Sequence, residues 1–589
     1  DIRATASYGS WNTRLLQLDA DSGFFGPGNK NSFLMDIQQL LSDGYQTYNR
    51  QKRVAGYGKY QYRLSDRSSL TLYGGLVDIW TNTPKTGNPT RAQVAQYGDN
   101  YLLDGTEFLP NGSYDPNYYG FDFYHVQTDF EYAAYTADLG SGWKFDTKLY
   151  TTRYWNKQFY NSGTVSLSTS KPSGVDKLNG YRHAGDTLTL SKESKWGVFR
   201  TGAWYDWAYT DRYQIPSNPV TGLDTPLGNF HEHFITQAFQ PFAEFEWHPT
   251  QKFVAIVGVK DANYDMALNQ YQDNGKTVGC LGGITGTDPR TGAPICIGGP
   301  AFTHHEIDYN NWLPNVAARY HFTNQWGVYA QWSEGSIIPP SAVFDTANAQ
   351  VLVPPKPTLA RTYQTGSVLK YRRWTLDADA YYVHFQNAFD SYLDPVSAEQ
   401  VFVATGPTNT KGLEAESNII IGWGLSLYVN GSLGSAKYQE GSNFPNGGLW
   451  VANTPKNVET ISLLWRRKNW DIGLVDKRVG TLYNDNGTLN YKIDGASIPY
   501  PVDQVITISP FNLVNLFFNY TIKNQSWLRG SKIGLAINNL ADSHNVVGIT
   551  PAVAATASAL YVPNPGDLLN LLPGRSVIVS LTAGFAPRR

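Results

Sequence analysis

Two short clusters in the chain carry side chains able to hold a metal. His231-Glu232-His233 and His304-His305-Glu306 each set two imidazoles beside a carboxylate, a donor set that suits first-row transition metals. On an extended chain alternate residues share a face. His231 and His233 therefore point the same way, while His304 and His305 do not. Both clusters fall at borders between loop and strand, where polar residues are expected anyway. No protein-bound metal is expected, and all four histidines are candidate ligand contacts. Trp204, Arg212, Tyr213, Trp312 and Tyr381 join them, because aromatic rings stack on a ligand and a guanidinium pairs bidentately with carboxylate or phosphate. Tyr118, Tyr119, Trp155, Tyr160, Phe344 and Tyr483 are similar candidates in loops. The plain alternative for each is a wall or interface aromatic. No P-loop, HExxH, GxSxG or strand-to-helix GxGxxG is present, so no catalytic constellation and no built-in cofactor are expected.

The elements that must position these residues are strands. From Val577 to Phe585 the odd positions read Val, Val, Leu, Ala, Phe and the even positions between them Ile, Ser, Thr, Gly. One face is oily and the other mostly wet. The same alternation recurs along the chain. In 143–152, Trp143, Phe145 and Leu149 share one face, and Lys144, Asp146 and Lys148 the other. In 196–214, Phe199, Ala203, Tyr205 and Trp207 oppose Arg200, Asp206 and Arg212. Charges are costly against lipid near the midplane, so the charged faces are expected to line a lumen.

The totals agree with an all-β transmembrane barrel. Net charge is -2, with 47 basic and 49 acidic residues, which argues against a nucleic-acid partner. Aromatics make up 14% of the chain, including 39 Tyr and 17 Trp; such residues form girdles at both membrane edges of a barrel. Mean hydropathy is negative, and no run of 18 apolar residues exists to form a spanning helix. Short turns at 65–69, 140–142, 249–251, 323–325, 372–373, 422–424 and 467–469 alternate with long segments such as 82–120, 155–182, 216–233, 270–305, 334–360, 389–409 and 541–571. That asymmetry, periplasmic turns against extracellular loops, predicts an antiparallel barrel of about 22 strands. A helical turn or two is expected in 559–571. The Pro-rich stretch 336–357 reads as a stiff extracellular loop able to fold over a ligand. Cys280 and Cys296 lie in a Gly-rich loop segment; a disulfide between them is expected, implying an oxidising compartment, with two free thiols as the alternative.

Four stretches resemble the barrel domain of TonB-dependent outer-membrane transporters. TKGLEAE (410–416) is similar to a family strand opening, and KPTLARTYQTGSV (356–368) to its Pro-to-Tyr-Glu segment, with Gln364 where Glu is usual. LAINNLADSHN (535–545) resembles the penultimate strand, and PGRSVIVSLTAGF (573–585) the closing one, whose terminal aromatic is read by the barrel-assembly machinery. Here Ala586–Arg589 follow that Phe. The resemblance implies a bacterial outer-membrane, non-enzymatic importer of a scarce large ligand, most often a ferric siderophore. Any iron would arrive inside the ligand. It also implies an N-terminal plug that couples the barrel to TonB–ExbB–ExbD. The whole of 1–589 reads as barrel, with Asp1 near the first strand, so the plug and any leader are expected to lie outside this sequence. An envelope-complex component or adhesion barrel plugged by a partner protein is the alternative.

Overall fold

The computed structural model describes all residues except 86, 227, 273–283, 288–293, 299–302, 340–355, 394–399, 440–446, 486–503, 524–527, 554–560 and 586–589. Its main sheet has 22 strands, each paired antiparallel with its neighbours along the chain. The sheet closes on itself where Ile2–Gly9 meets Ser576–Phe585, in the register Ile2↔Phe585 to Gly9↔Ile578. At this seam Thr5 bonds Thr582 (2.9 Å) and Ser7 bonds Ser580 (2.8 Å) through their hydroxyls on one face. Val577, Val579, Leu581 and Phe585 stand exposed on the other. The alternation seen in the closing strand is thus the inside and outside of the wall. Closure leaves the 22-stranded sheet without an edge strand, which a lipid environment demands.

The two ends of the barrel differ as the sequence suggests. At one end are short connections, among them 66–67, 141–142, 195–196, 423–424 and 468–469. The 140–142 turn holds Gly140, Ser141 and Gly142 all at positive φ (84°, 52° and 81°). A Cβ on Gly142 would run into the Glu193 carbonyl, so only glycine fits there. At the other end are long connections, including 82–122, 162–173, 218–229 and 539–575.

Several strands outrun their expected ends. Trp143–Asn161 has 19 residues, and Gly174–Ser194 and Gly197–Ser217 have 21 each, whereas crossing the hydrocarbon takes about 9–11. The surplus stands above the membrane, wet on both faces. In Trp143–Asn161 and Gly174–Ser194 this surplus falls within 155–182, which reads as loop in the sequence. The expected helical turn in 559–571 is also placed differently: Leu568–Leu571 is a short strand paired with Val546–Thr550. Among the described residues the α-helix is Arg91–Tyr97, started by a capping box in which Thr90 and Gln93 each serve the other's backbone.

Candidate ligand vestibule

Which face looks inward follows from the strands that carry most charge. Arg200 bonds Glu244 (2.8 Å) and Glu246 (2.7 Å) on the face opposite exposed Phe199, Tyr205, Phe239, Phe245 and Trp247. The oily set faces lipid and the ionic set the lumen. Unbroken register carries this parity along neighbouring strands.

On the lumen side the strands from Gln51–Ser65 to Gly197–Ser217 build an aromatic wall. Tyr57 stacks on Tyr73 (5.8 Å), and Tyr73 on Tyr132 (5.1 Å). Phe130 lies 6.5 Å from Tyr150, and higher up Tyr154 stacks on Tyr181 at 4.9 Å. A polar relay runs through it. Trp204 Nε1 donates to Tyr150 Oη (2.7 Å), which donates to Asp206 Oδ2 (2.5 Å), while His183 Nδ1 lies 2.8 Å from Asp206 Oδ1. Rings held this way present apolar faces with fixed polar edges, a surface suited to a large planar or aromatic ligand.

The opposite lumen wall, lower down, is acidic. Asp377 pairs in register with Glu416 and Asp379 with Glu414. Oδ1 of both aspartates is buried with no hydrogen-bond partner among the described residues. Like charges directly opposite on adjacent strands repel, so this patch favours a cationic neighbour in the lumen.

A folded cap sits over one side of the mouth. Tyr101, Leu102, Leu103 and Phe121 give the 82–122 loop a core of its own. The cap is pinned to the 539–575 connection at Asp567, whose side chain is 0% exposed. Its carboxylate accepts from Tyr561 Oη (2.6 Å), Asn564 N (2.8 Å), Ala552 N (3.0 Å) and Arg91 Nη2 (3.3 Å). Burial alone would raise this carboxyl's pKa; the four donors outweigh it and hold the group below the ordinary range. Tyr561, buried against the same carboxylate, is pushed up to about 12. Asp122, at the base of the cap, shows the reverse. Burial pushes it up to about 8, and among the described residues a single donor, Asn161 N (3.2 Å), offsets it.

The candidate contacts read from the sequence divide across the wall. Trp204 and Tyr381 face the lumen, as does Arg212, which lies over the Phe230 ring (4.9 Å) and 3.7 Å from the buried Glu232 carboxylate. Tyr213, His231, His233, His304 and Trp312 have the other parity and face outward. His304 there meets Asn269 (2.6 Å) and Glu306 (3.2 Å). The side chain of His305, Phe344, Cys280, the side chain of Cys296 and most of 336–357 lie outside the described residues. Tyr150, His183 and Asp206 carry no site signal in the sequence; strand parity is legible there, but not their meeting across three strands. Asp211, which the register places opposite His233, is likewise unmarked in the sequence.

A family model for the TonB dependent receptor-like β-barrel matches residues 79–540. The chain belongs to the TonB-dependent receptor family. It is therefore an outer-membrane transporter rather than an enzyme. Solved structures share the fold at low identity. The ferric citrate transporter FecA matches with a TM-score of 0.73 and 15% identity, over 99% of this chain and 78% of that one. The ferric yersiniabactin uptake receptor FyuA from Yersinia pestis matches at 0.71 and 13%, over 100% and 80%. The ferric-catecholate import receptor Fiu from K12 E. coli matches at 0.68 and 15%, over 99% and 81%. At such identities the likeness speaks for the fold alone.

Proposed function

We propose that this TonB-dependent receptor imports a scarce, large metal chelate, a ferric siderophore foremost, using the proton-motive force delivered through TonB. The observation that carries this reading is the aromatic wall facing the lumen beneath an anchored extracellular cap. Such a wall suits the planar rings of many chelators, and the named cargoes of FyuA, Fiu and FecA are ferric chelates. The acidic patch of Asp377, Asp379, Glu414 and Glu416 suits basic side chains of a plug domain filling the lumen. A barrel of this strand number is wide enough to need one.

Uptake of radiolabelled ferric siderophores by a deletion strain, with and without the restored gene, tests the proposal. Restoration of uptake of one chelate, abolished by a protonophore, supports it. Equal uptake by both strains across a broad panel removes the iron reading and leaves cobalamin, a glycan or another metal chelate as cargo.

A further inference from the structure

We propose a transition-metal site on the outer wall of the barrel, formed by Asp211, His231 and His233. It is separate from the lumen and from any cargo that passes there.

The site follows from strand geometry. His231 and His233 are alternate residues of Phe230–Trp247, so their rings share a face. The antiparallel register sets Asp211 opposite His233 and Tyr213 opposite His231, without a shift from Phe230 to Trp247. Asp211 therefore reaches His233 across the ladder and His231 along the diagonal. Both contacts converge on a single atom: Asp211 Oδ1 lies 2.9 Å from His233 Nε2 and 3.0 Å from His231 Nε2. The three donor groups all fall within 4.8 Å of one another.

Their spacing suits an ion. Zn–N and Zn–O bonds of about 2.0–2.2 Å in tetrahedral array need donors roughly 3.3 Å apart. Each Asp211–histidine separation opens by only a few tenths of an ångström to reach that spacing, and the two histidine donors lie within 4.8 Å of one another. The side chains are 40% (His231), 33% (Asp211) and 21% (His233) exposed, which leaves room for water as the remaining ligand. Two imidazoles and one carboxylate select zinc, cobalt, nickel or copper over calcium or magnesium.

The site also lies where an ion is affordable to bind. Counted from the short turn at 195–196, the first ten or so residues of Gly197–Ser217 cross the hydrocarbon, so Asp211 stands above it on the outward face. The neighbouring outer wall is equally wet. Lys157 Nζ bonds Asp176 and Tyr213 Oη, each at 2.6 Å, and Arg153 pairs with Asp129 at 2.9 Å. The Lys157 charge is thus balanced by Asp176. Tyr209 Oη stands 3.2 Å from the His233 ring nitrogens and would orient that ring. An ion here would tie together the two strand ends that carry the 218–229 loop.

The test uses the detergent-solubilised barrel purified without a polyhistidine tag, titrated with Zn2+ calorimetrically and with Co2+ by visible absorption. The wild type is expected to bind a stoichiometric ion at this site, with Co2+ bands of low coordination number. H231Q, H233Q and D211N should each weaken binding at least about tenfold. The H231Q/H233Q double variant should lose that ion, and H304Q, outside the cluster, should keep it. Heat-modifiable gel migration reports barrel folding for each variant. If the double variant misfolds, the single variants decide. Wild-type and double-variant titrations that superimpose, or a wild type that binds nothing, would overturn the proposal.

Discussion

Asp567→Asn isolates the joint between the extracellular cap and the 539–575 connection. The native carboxylate takes four donors with its two oxygens, three of them on Oδ2. Asparagine keeps one acceptor and turns the other oxygen into a donor. The amide keeps its oxygen toward Tyr561 Oη, Asn564 N and Arg91, so the new donor faces Ala552 N, and the charge that strengthened all four bonds is gone. Hydrogen bonds to a charged group are worth about 1.5–3 kcal/mol each. Arg91 is 34% exposed, so solvent discounts its share, and local relaxation recovers some of the rest. The net loosening is about 2–4 kcal/mol, or roughly two orders of magnitude in the opening equilibrium at about 1.4 kcal/mol per tenfold. The barrel itself should not melt, because none of the strand ladder depends on this group. Hydrogen exchange is the assay. The amides that bridge the joint are Arg91 (to Asp567 O, 2.7 Å), Ala92 (to Pro565 O, 2.8 Å) and Leu569 (to Pro89 O, 2.9 Å). Their protection should fall about a hundredfold at neutral pH while strand amides are unchanged. Because the folded carboxyl sits below its ordinary pKa, the joint should hold throughout the range above about pH 4 and loosen only as pH falls through the folded value. Protection altered by less than about threefold would refute Asp567 as the pin.

Asp122 should behave oppositely. Its carboxyl is pushed up to about 8, so the folded cap keeps a proton that an unfolded chain sheds near pH 4, and stability falls as pH rises between those values. Proteolysis of the 82–122 cap should quicken from pH 6 to pH 8.5 in the wild type, and Asp122→Asn should remove that dependence. On the lumen wall, Trp204→Ala should raise the half-saturating concentration of the imported chelate about five- to tenfold, given roughly 1 kcal/mol for a stacked ring. Trp204→Phe, which keeps a smaller aromatic face but loses the Nε1 donor to Tyr150, should fall between; equal uptake in all three proteins would remove the wall from the ligand path. Non-reducing mass spectrometry should recover the Cys280 and Cys296 peptides linked, whereas two alkylated thiols would contradict the expected disulfide.

The chain by itself determined the class of fold. Period-two alternation in segments such as 143–152 and 576–585 needs one oily and one wet face, and the unequal connections assign those segments to a membrane barrel with a bulky outer rim. These are local features, set within ten residues, and so can be read without neighbours. Only the tertiary structure decided that the alternation of 196–214 runs unbroken to the strand top and carries across to Phe230–Trp247. Above the hydrocarbon both faces are wet, so polarity no longer marks inside from outside. Tyr213, His231 and His233 read like lumen contacts and stand on the exterior. It alone decided the lateral meetings as well. Asp211 faces His233, Tyr150 reaches Asp206, and Arg91 meets Asp567 because hydrogen-bonded register and cap docking bring together residues 22, 56 and 476 positions apart. No local pattern encodes such pairings; they are fixed when the sheet closes.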